Sequence, residues 1–286
     1  MSAYARPTLG HTRLTFFGTI RSEWIKFWSL RSSGLVLGAF LAASAGFGVV
    51  LFLNAKAGAN AFTPAVHAVE KTAQLTVLIA SLLASLIGLL TITNEYGSGQ
   101  FRASFMAVPK RAQVIWAKAC LLSLVAVLAS VVSLLIGHGL AWLILGDLAD
   151  LRPLADAGDR ILIGAVLNVV ALTLLGLMVG ALVRSTVGAA TTVVVLVVIL
   201  PAAADLIRSA VINAAAGAYP LWRRLILYCL EVLPTTASHL SLVWEPATDS
   251  LAPSLQLSPW TGLAVMFAWV VVFALPALIR LRVRDA

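Results

Sequence analysis

Charge is what this chain has least of. Of its 286 residues only 11% are Asp, Glu, Lys or Arg, against about 25% in soluble domains. With 60% hydrophobic residues and a mean hydropathy of +0.98, the scarcity of charge excludes a soluble globular body and points to an integral membrane protein. Cysteine is nearly absent too. Cys120 and Cys229 form no C-x-x-C or metal-type spacing, so neither a disulfide framework nor a metal site is expected. The four histidines, His11, His67, His138 and His239, are scattered. No H-E-x-x-H or G-x-S-x-G occurs, and the acids fall in loops rather than beside a base, so the chain is not expected to be an enzyme. No cleavable leader is expected, because the first apolar run starts near Gly34 without a cleavage motif.

Long apolar runs are present. Six are long enough to cross a bilayer at about 20 residues per span: 33–53, 75–93, 114–140, 161–183, 187–207 and 260–279. The sequence therefore predicts an all-α membrane protein, a single transmembrane domain over 1–286. Six spans place both termini on one side. On that side stand Arg6, Arg13, Arg21, Lys26, Arg31, Arg102, Lys110, Arg111, Arg184, Arg280, Arg282 and Arg284, against the acids Glu23, Glu95 and Asp285. The other side holds seven basic residues and nine acids. Lys and Arg concentrate in cytoplasmic segments, so both termini are expected in the cytoplasm. The net charge of +8 reflects those segments rather than a nucleic-acid partner.

Residues 1–32 are basic, and Leu14, Phe17, Ile20, Trp24, Phe27 and Trp28 recur at helical spacing opposite Arg13, Arg21, Ser22, Lys26 and Ser29. This pattern predicts an amphipathic helix on the lipid surface, or one packed on a partner. A second short helix is expected in the cytoplasmic segment 94–112. The second span ends at Glu95, where a carboxylate first becomes tolerable outside hydrocarbon. Gly97, Ser98 and Gly99 should break the helix. Phe101, Phe105 and Val108 then fall on one face, and Pro109 stops it before Lys110 and Arg111. A surface ion pair between Glu95 and Arg102 is the plainer reading of those two charges.

Other features are less specific. Gly34, Gly38, Ala42 and Gly46 in the first span, and Gly176 and Gly180 in the fourth, form ridges that allow close helix approach. Gln74, Ser81 and Ser85 on the second span and Thr191 on the fifth are candidates for a translocation path. Small hydroxyls at such positions also bond their own backbone. His138 and Asn168 are polar groups at depth and so further candidates, each standing alone in the sequence. Pro201 is expected to kink or end the fifth span. Residues 208–258 are expected on the extracytoplasmic side. Within them 220–234 is apolar but too short to cross, suggesting a re-entrant helix, and 238–258 reads as exposed loop.

Taken together, the chain resembles the membrane (permease) subunit of type-2 ATP-binding-cassette transporters, in particular the bacterial exporter branch. The resemblance rests on Arg21-Ser-Glu-Trp-Ile-Lys26, on Thr91-Ile-Thr-Asn-Glu-Tyr-Gly-Ser-Gly-Gln-Phe-Arg102 with Val108-Pro-Lys-Arg111, and on Gly176-Leu-Met-Val-Gly-Ala-Leu-Val-Arg-Ser185. The order of spans, with an apolar hairpin before the last, agrees. The resemblance implies two permease chains, identical or related, paired with two cytosolic ATPase subunits that hold the ATP and Mg. It implies efflux of a hydrophobic or amphipathic molecule. It also implies that Glu95, Tyr96, Gly97, Gly99, Phe101, Arg102, Phe105, Lys110 and Arg111 couple to the ATPase, together with the helix bearing Arg21, Glu23, Trp24 and Lys26. This chain has no G-x-x-x-x-G-K-[ST] loop, so the ATPase must be a separate partner. The alternative is a stand-alone ion-coupled carrier, a class that usually shows buried ionisable groups and inverted repeats.

Overall fold

The computed structural model describes residues 15–58, 66–98, 111–146, 149–150, 158–213, 221–242 and 258–283. Their fold is almost wholly helical, as the composition requires: in hydrocarbon a backbone must satisfy its own hydrogen bonds. A short helix α1 (Phe16–Ser29) leads into α2 (Arg31–Gly58), α3 (Ala68–Ser98), α4 (Arg111–Leu145) and α5 (Gly158–Val183). After a sharp turn come α6 (Thr186–Val194), a π-helical turn (Val195–Ile199) and α7 (Leu200–Asn213). Two short helices, α8 (Leu221–Glu231) and α9 (Pro234–His239), precede the last helix, α10 (Pro259–Val283). Six helices are long and apolar enough to span a membrane, with α6 and α7 counting as one. The remaining pairing is a two-residue parallel bridge between Val66–His67 and Ala149–Asp150.

The central pair is α3 and α5. Gly88 and Gly176 let the two backbones touch, and Gly180 meets Leu89 and Ile92 in the same seam. The small residues of the fourth span therefore pack within the chain. Those of the first span do not: a side chain added at Gly34, Gly38 or Gly46 would meet nothing within 4 Å. Around the central pair, α2 lies against α3 and α4, and α10 lies against α5. α5 is the most enclosed span, whereas α2, α6–α7 and α10 leave most of their surface outward.

Pro201 does not end its helix. It has no N–H to donate and its ring crowds the preceding turn. The chain absorbs this by widening that turn, with the Leu200 N–H reaching the Val195 carbonyl oxygen, and helix resumes to Asn213. A π turn inside an α-helix is a known way to accommodate such a defect.

Residues 238–258 do not begin as exposed loop. Ser241 and Leu242 are buried in a 3-10 turn, Leu240–Leu242, that sits on α5 and α10. Gly164 makes room for Ser241, and Gly262 makes room for the Ala237 carbonyl. Asn168 Nδ2 donates to Ser241 Oγ at 3.0 Å, and Trp269 Nε1 donates to the Val232 carbonyl oxygen at 2.8 Å. The segment is bolted to the bundle through hydrogen bonds the apolar pattern does not reveal.

A buried charge cluster at one end of the bundle

α1 starts on a cap that its sequence provides: the Thr15 hydroxyl accepts the Gly18 N–H at 3.2 Å. Its inward face is Thr19, Glu23 and Phe27, four residues apart and hence one above another. Of the aromatic stripe read from the sequence, Phe17 (81% exposed), Trp24 and Trp28 (53%) face away from the protein, while Phe27 turns inward. The face turned to the bundle thus carries a carboxylate at its centre. α1 lies mainly on α4, and there Glu23 meets Lys118.

Lys118 is 1% exposed. It lies seven residues into α4, about 10 Å along a helix whose length is about 52 Å at 1.5 Å per residue. A hydrocarbon core is about 30 Å thick, so the ammonium sits near its boundary, where water could not solvate it through a packed protein. It is neutralised instead. Lys118 Nζ donates to Glu23 Oε2 and, at 2.9 Å, to Glu95 Oε1. Lys26 Nζ closes the set, 2.8 Å from Glu23 Oε1 and 3.4 Å from Glu95 Oε1. Two carboxylates and two ammoniums from α1, α3 and α4 form one neutral group, three of its four members almost wholly buried.

Such charges are tolerated only as partners. For Lys26, on α1 and half-exposed, desolvation is the largest single influence and lowers its pKa. The hydrogen bond and charge of Glu23, with the charge and hydrogen bond of Glu95, outweigh it and leave the pKa raised.

Glu95 is therefore turned into the protein and does not reach toward solvent. α3 continues past it through Gly97 and ends, within the described residues, at Ser98. Glu95 finds cations on α1 and α4, Lys26 and Lys118; the surface pair expected with Arg102 falls on a residue outside the described set. Arg102, Gly99, Phe101, Phe105 and Lys110 lie outside the described residues, and Arg111 opens α4. Tyr96, one residue on, has the Arg184 guanidinium 5.4 Å above its ring. Arg184 occupies the left-handed region, φ 60°, at the turn between α5 and α6. Arg280 of α10 donates to the Leu182 carbonyl oxygen beside it. This end of the bundle thus gathers the cations Lys26, Lys118, Arg184 and Arg280. Trp24 and Arg21 of α1 are exposed.

The candidates at depth do not converge on one site. Gln74 Nε2 donates to Glu70 Oε1 at 2.9 Å on its own helix. Ser85 and Thr191 turn their hydroxyls to backbone oxygens of Leu82 and Val187, and the Ser81 side chain is outside the described set. His138 does not stand alone. Its Nδ1 lies 2.7 Å from the Leu134 carbonyl oxygen, so it must carry the proton of that bond, and the Thr72 hydroxyl is 3.3 Å away. A cleft lined by Val131, Leu135, Leu162 and Val166 opens beside His138. Asn168 is fully buried and committed to Gly164 and Ser241.

Lys118 was missed by the charge count, which assigned nineteen of the twenty Lys and Arg residues to one side or the other. The signal was present: a lysine inside an apolar run is a functional candidate by default, and Glu23 and Glu95 are acids on the same side of the bundle, available to neutralise it.

Six spanning helices, with a short helix tied to one end of the bundle by buried charge, define a multi-pass membrane protein built around its own lateral packing. The chain belongs to a transporter family: over residues 19–286 it matches the one described as ABC-2 family transporter protein. It is a membrane subunit of an ATP-binding-cassette transporter, and the match takes in the inward face of α1 and all six spans. No curated protein matches the chain.

Proposed function

We propose that this permease exports a hydrophobic or amphipathic small molecule or lipid across the cytoplasmic membrane, driven by cytosolic ATPase subunits that bind and hydrolyse ATP with Mg. Both termini face the cytoplasm in this reading, and the segment 99–110, between α3 and α4, docks on the ATPase. One observation carries it. The last turns of α3, which lead directly into that segment, are anchored through Glu95 to both α1 and α4, so a push on the segment is delivered to several elements at once. The exposed aromatic stripe of α1 suits the lipid interface.

Two permease chains, identical or related, enclose the path. The open small-residue ridge of α2 (Gly34, Gly38, Gly46) and the outward surface of α6, with Thr191 exposed, are the faces available for the second chain and for the cargo. Few charges in the spans favour an apolar cargo over an ion or a sugar.

Purification of the tagged chain from its native membrane in mild detergent, followed by mass spectrometry, tests the reading. A stoichiometric cytosolic protein bearing a Walker loop is expected, and reconstituted vesicles should then show ATP-dependent efflux of lipophilic dyes or labelled lipid. A chain that stays dimeric, retains transport and has no such partner is a stand-alone carrier.

A further inference from the structure

We propose that Lys118 is a positioning residue that locks α1 to the end of α3, so that the two move as one body when the segment after α3 is displaced. This rests on the coupling role assigned above to that segment.

The argument is geometric. α1 presents three inward residues, and its apolar packing is on α4 rather than α3. Phe27 is its one large buried apolar side chain, which makes a thin hydrophobic seat for a helix of 14 residues. What reaches from α1 to α3 is charge. Glu23 of α1 and Glu95 of α3 meet on the single ammonium of Lys118, and Lys26 spans the same two carboxylates from the outer side. Without Lys118, two buried carboxylates would face each other, with the half-exposed Lys26 the other cation the described residues place on both. Like charges in a low-dielectric setting repel strongly. α1 would then separate from α3, or Glu23 would turn out to water, while the spans stayed assembled through the α3–α5 seam. A lysine placed for helix packing alone would have no need of two carboxylates from two different elements.

The test uses the full permease–ATPase complex in nanodiscs, with Cys120 and Cys229 changed to serine and spin labels at Ile25→Cys and Gly97→Cys. Ile25 is exposed, and a side chain at Gly97 meets nothing within 4 Å. In the otherwise unchanged protein the label distance is expected to be a single narrow distribution, the same with and without ATP. Lys118→Met should broaden it and make it nucleotide-dependent. Transport per ATP hydrolysed, measured for Lys118→Met in the protein without the label cysteines, should fall by about tenfold, inside the range of coupling between linked sites. Lys118→Arg, which keeps the charge and can serve two carboxylates, should restore both. A distance that changes with nucleotide while Lys118 is intact would overturn the proposal. So would a Lys118→Met protein with an unaltered distribution and unaltered coupling. If no ATPase partner exists, the distance measured on the permease alone still decides whether Lys118 holds α1, and only the coupling role is lost.

Discussion

Gly88 and Thr173 touch through their backbones: a Cβ built on Gly88 would stand 2.0 Å from the Thr173 carbonyl oxygen. Gly176 is placed the same way against the Ser85 carbonyl oxygen, one turn along the seam. No side chain fits at either position unless α3 and α5 move apart. Close approach of this kind is how spans associate where lipid is as apolar as any side chain. Gly88→Ala is therefore expected to destabilise the chain by about 1–3 kcal/mol, the usual cost of overpacking. Gly38→Ala, where there is open space, should leave the isolated chain within about 0.5 kcal/mol. Thermal unfolding of the monomer in detergent distinguishes them. If Gly38→Ala weakens self-association instead, the α2 ridge is the contact with the second permease.

The charge cluster makes the seating of α1 sensitive to loss at alkaline pH. The pKa of Lys26 is raised above the ordinary lysine value of 10.5 by Glu23 and Glu95, with Lys118 the other charge in the group. A raised pKa in the folded state contributes stability that is fully present below 10.5 and lost as pH rises through the folded value. Trp24 and Trp28, edge to face at 5.8 Å on α1, give the readout. Their fluorescence should hold steady to about pH 10 and change above the ordinary lysine pKa, and Lys26→Met should flatten that transition. An identical transition in Lys26→Met would assign it to another group.

The main features of the fold were legible in the sequence because hydrocarbon imposes so simple a rule. Six apolar runs became six spanning helices, and the ridge of Gly176 and Gly180 found a partner as its spacing implied. What was not legible depended on partners distant in sequence. Glu23 and Lys118 are separated by 95 residues and Glu95 and Lys118 by 23, and no local pattern couples them. The amphipathic reading of α1 found its aromatic stripe. It also put Phe27 on that stripe, whereas Phe27 packs inward beside Thr19 and Glu23. Asn168 looked solitary because Ser241 lies 73 residues away.

If the segment after Glu95 transmits force, its stiffness matters as well as its attachment. α3 runs helical through Gly97, so Gly97→Pro removes a backbone donor inside the last turns and costs the helix about 3 kcal/mol. Glu95→Ala removes the anchor itself and leaves the buried Lys118 with one carboxylate fewer. Both Glu95→Ala and the double change Gly97→Pro with Gly99→Pro are expected to insert and assemble normally while uncoupling ATP hydrolysis from transport. Substrate-stimulated ATPase activity and vesicle transport, measured on the same preparations, check this. Unchanged values for both activities in both variants would remove the segment from the coupling route.

At the opposite end of the bundle the expected outcome is structural. Asn168 is completely buried on α5 and donates to the Gly164 carbonyl oxygen at 2.8 Å and to Ser241 Oγ at 3.0 Å. Gly164 stands directly beneath Ser241, so a Cβ there would come within 2.9 Å of its Oγ. The Asn168 amide and the space left at Gly164 thus help hold the 3-10 turn after α9 to α5. Asn168→Leu replaces the amide by an apolar group of similar size and leaves the Ser241 hydroxyl buried without that donor, a loss of about 1–3 kcal/mol. The loss should be local, because α3 and α5 remain joined through Gly88 and Gly176. Hydrogen exchange is therefore expected to rise over 221–242 in Asn168→Leu while the amides of α3 and α5 stay protected, and Ser241→Ala should show the same pattern more weakly. Exchange that rose equally in α3 would mean that the short helices support the bundle, and are not merely fastened to it.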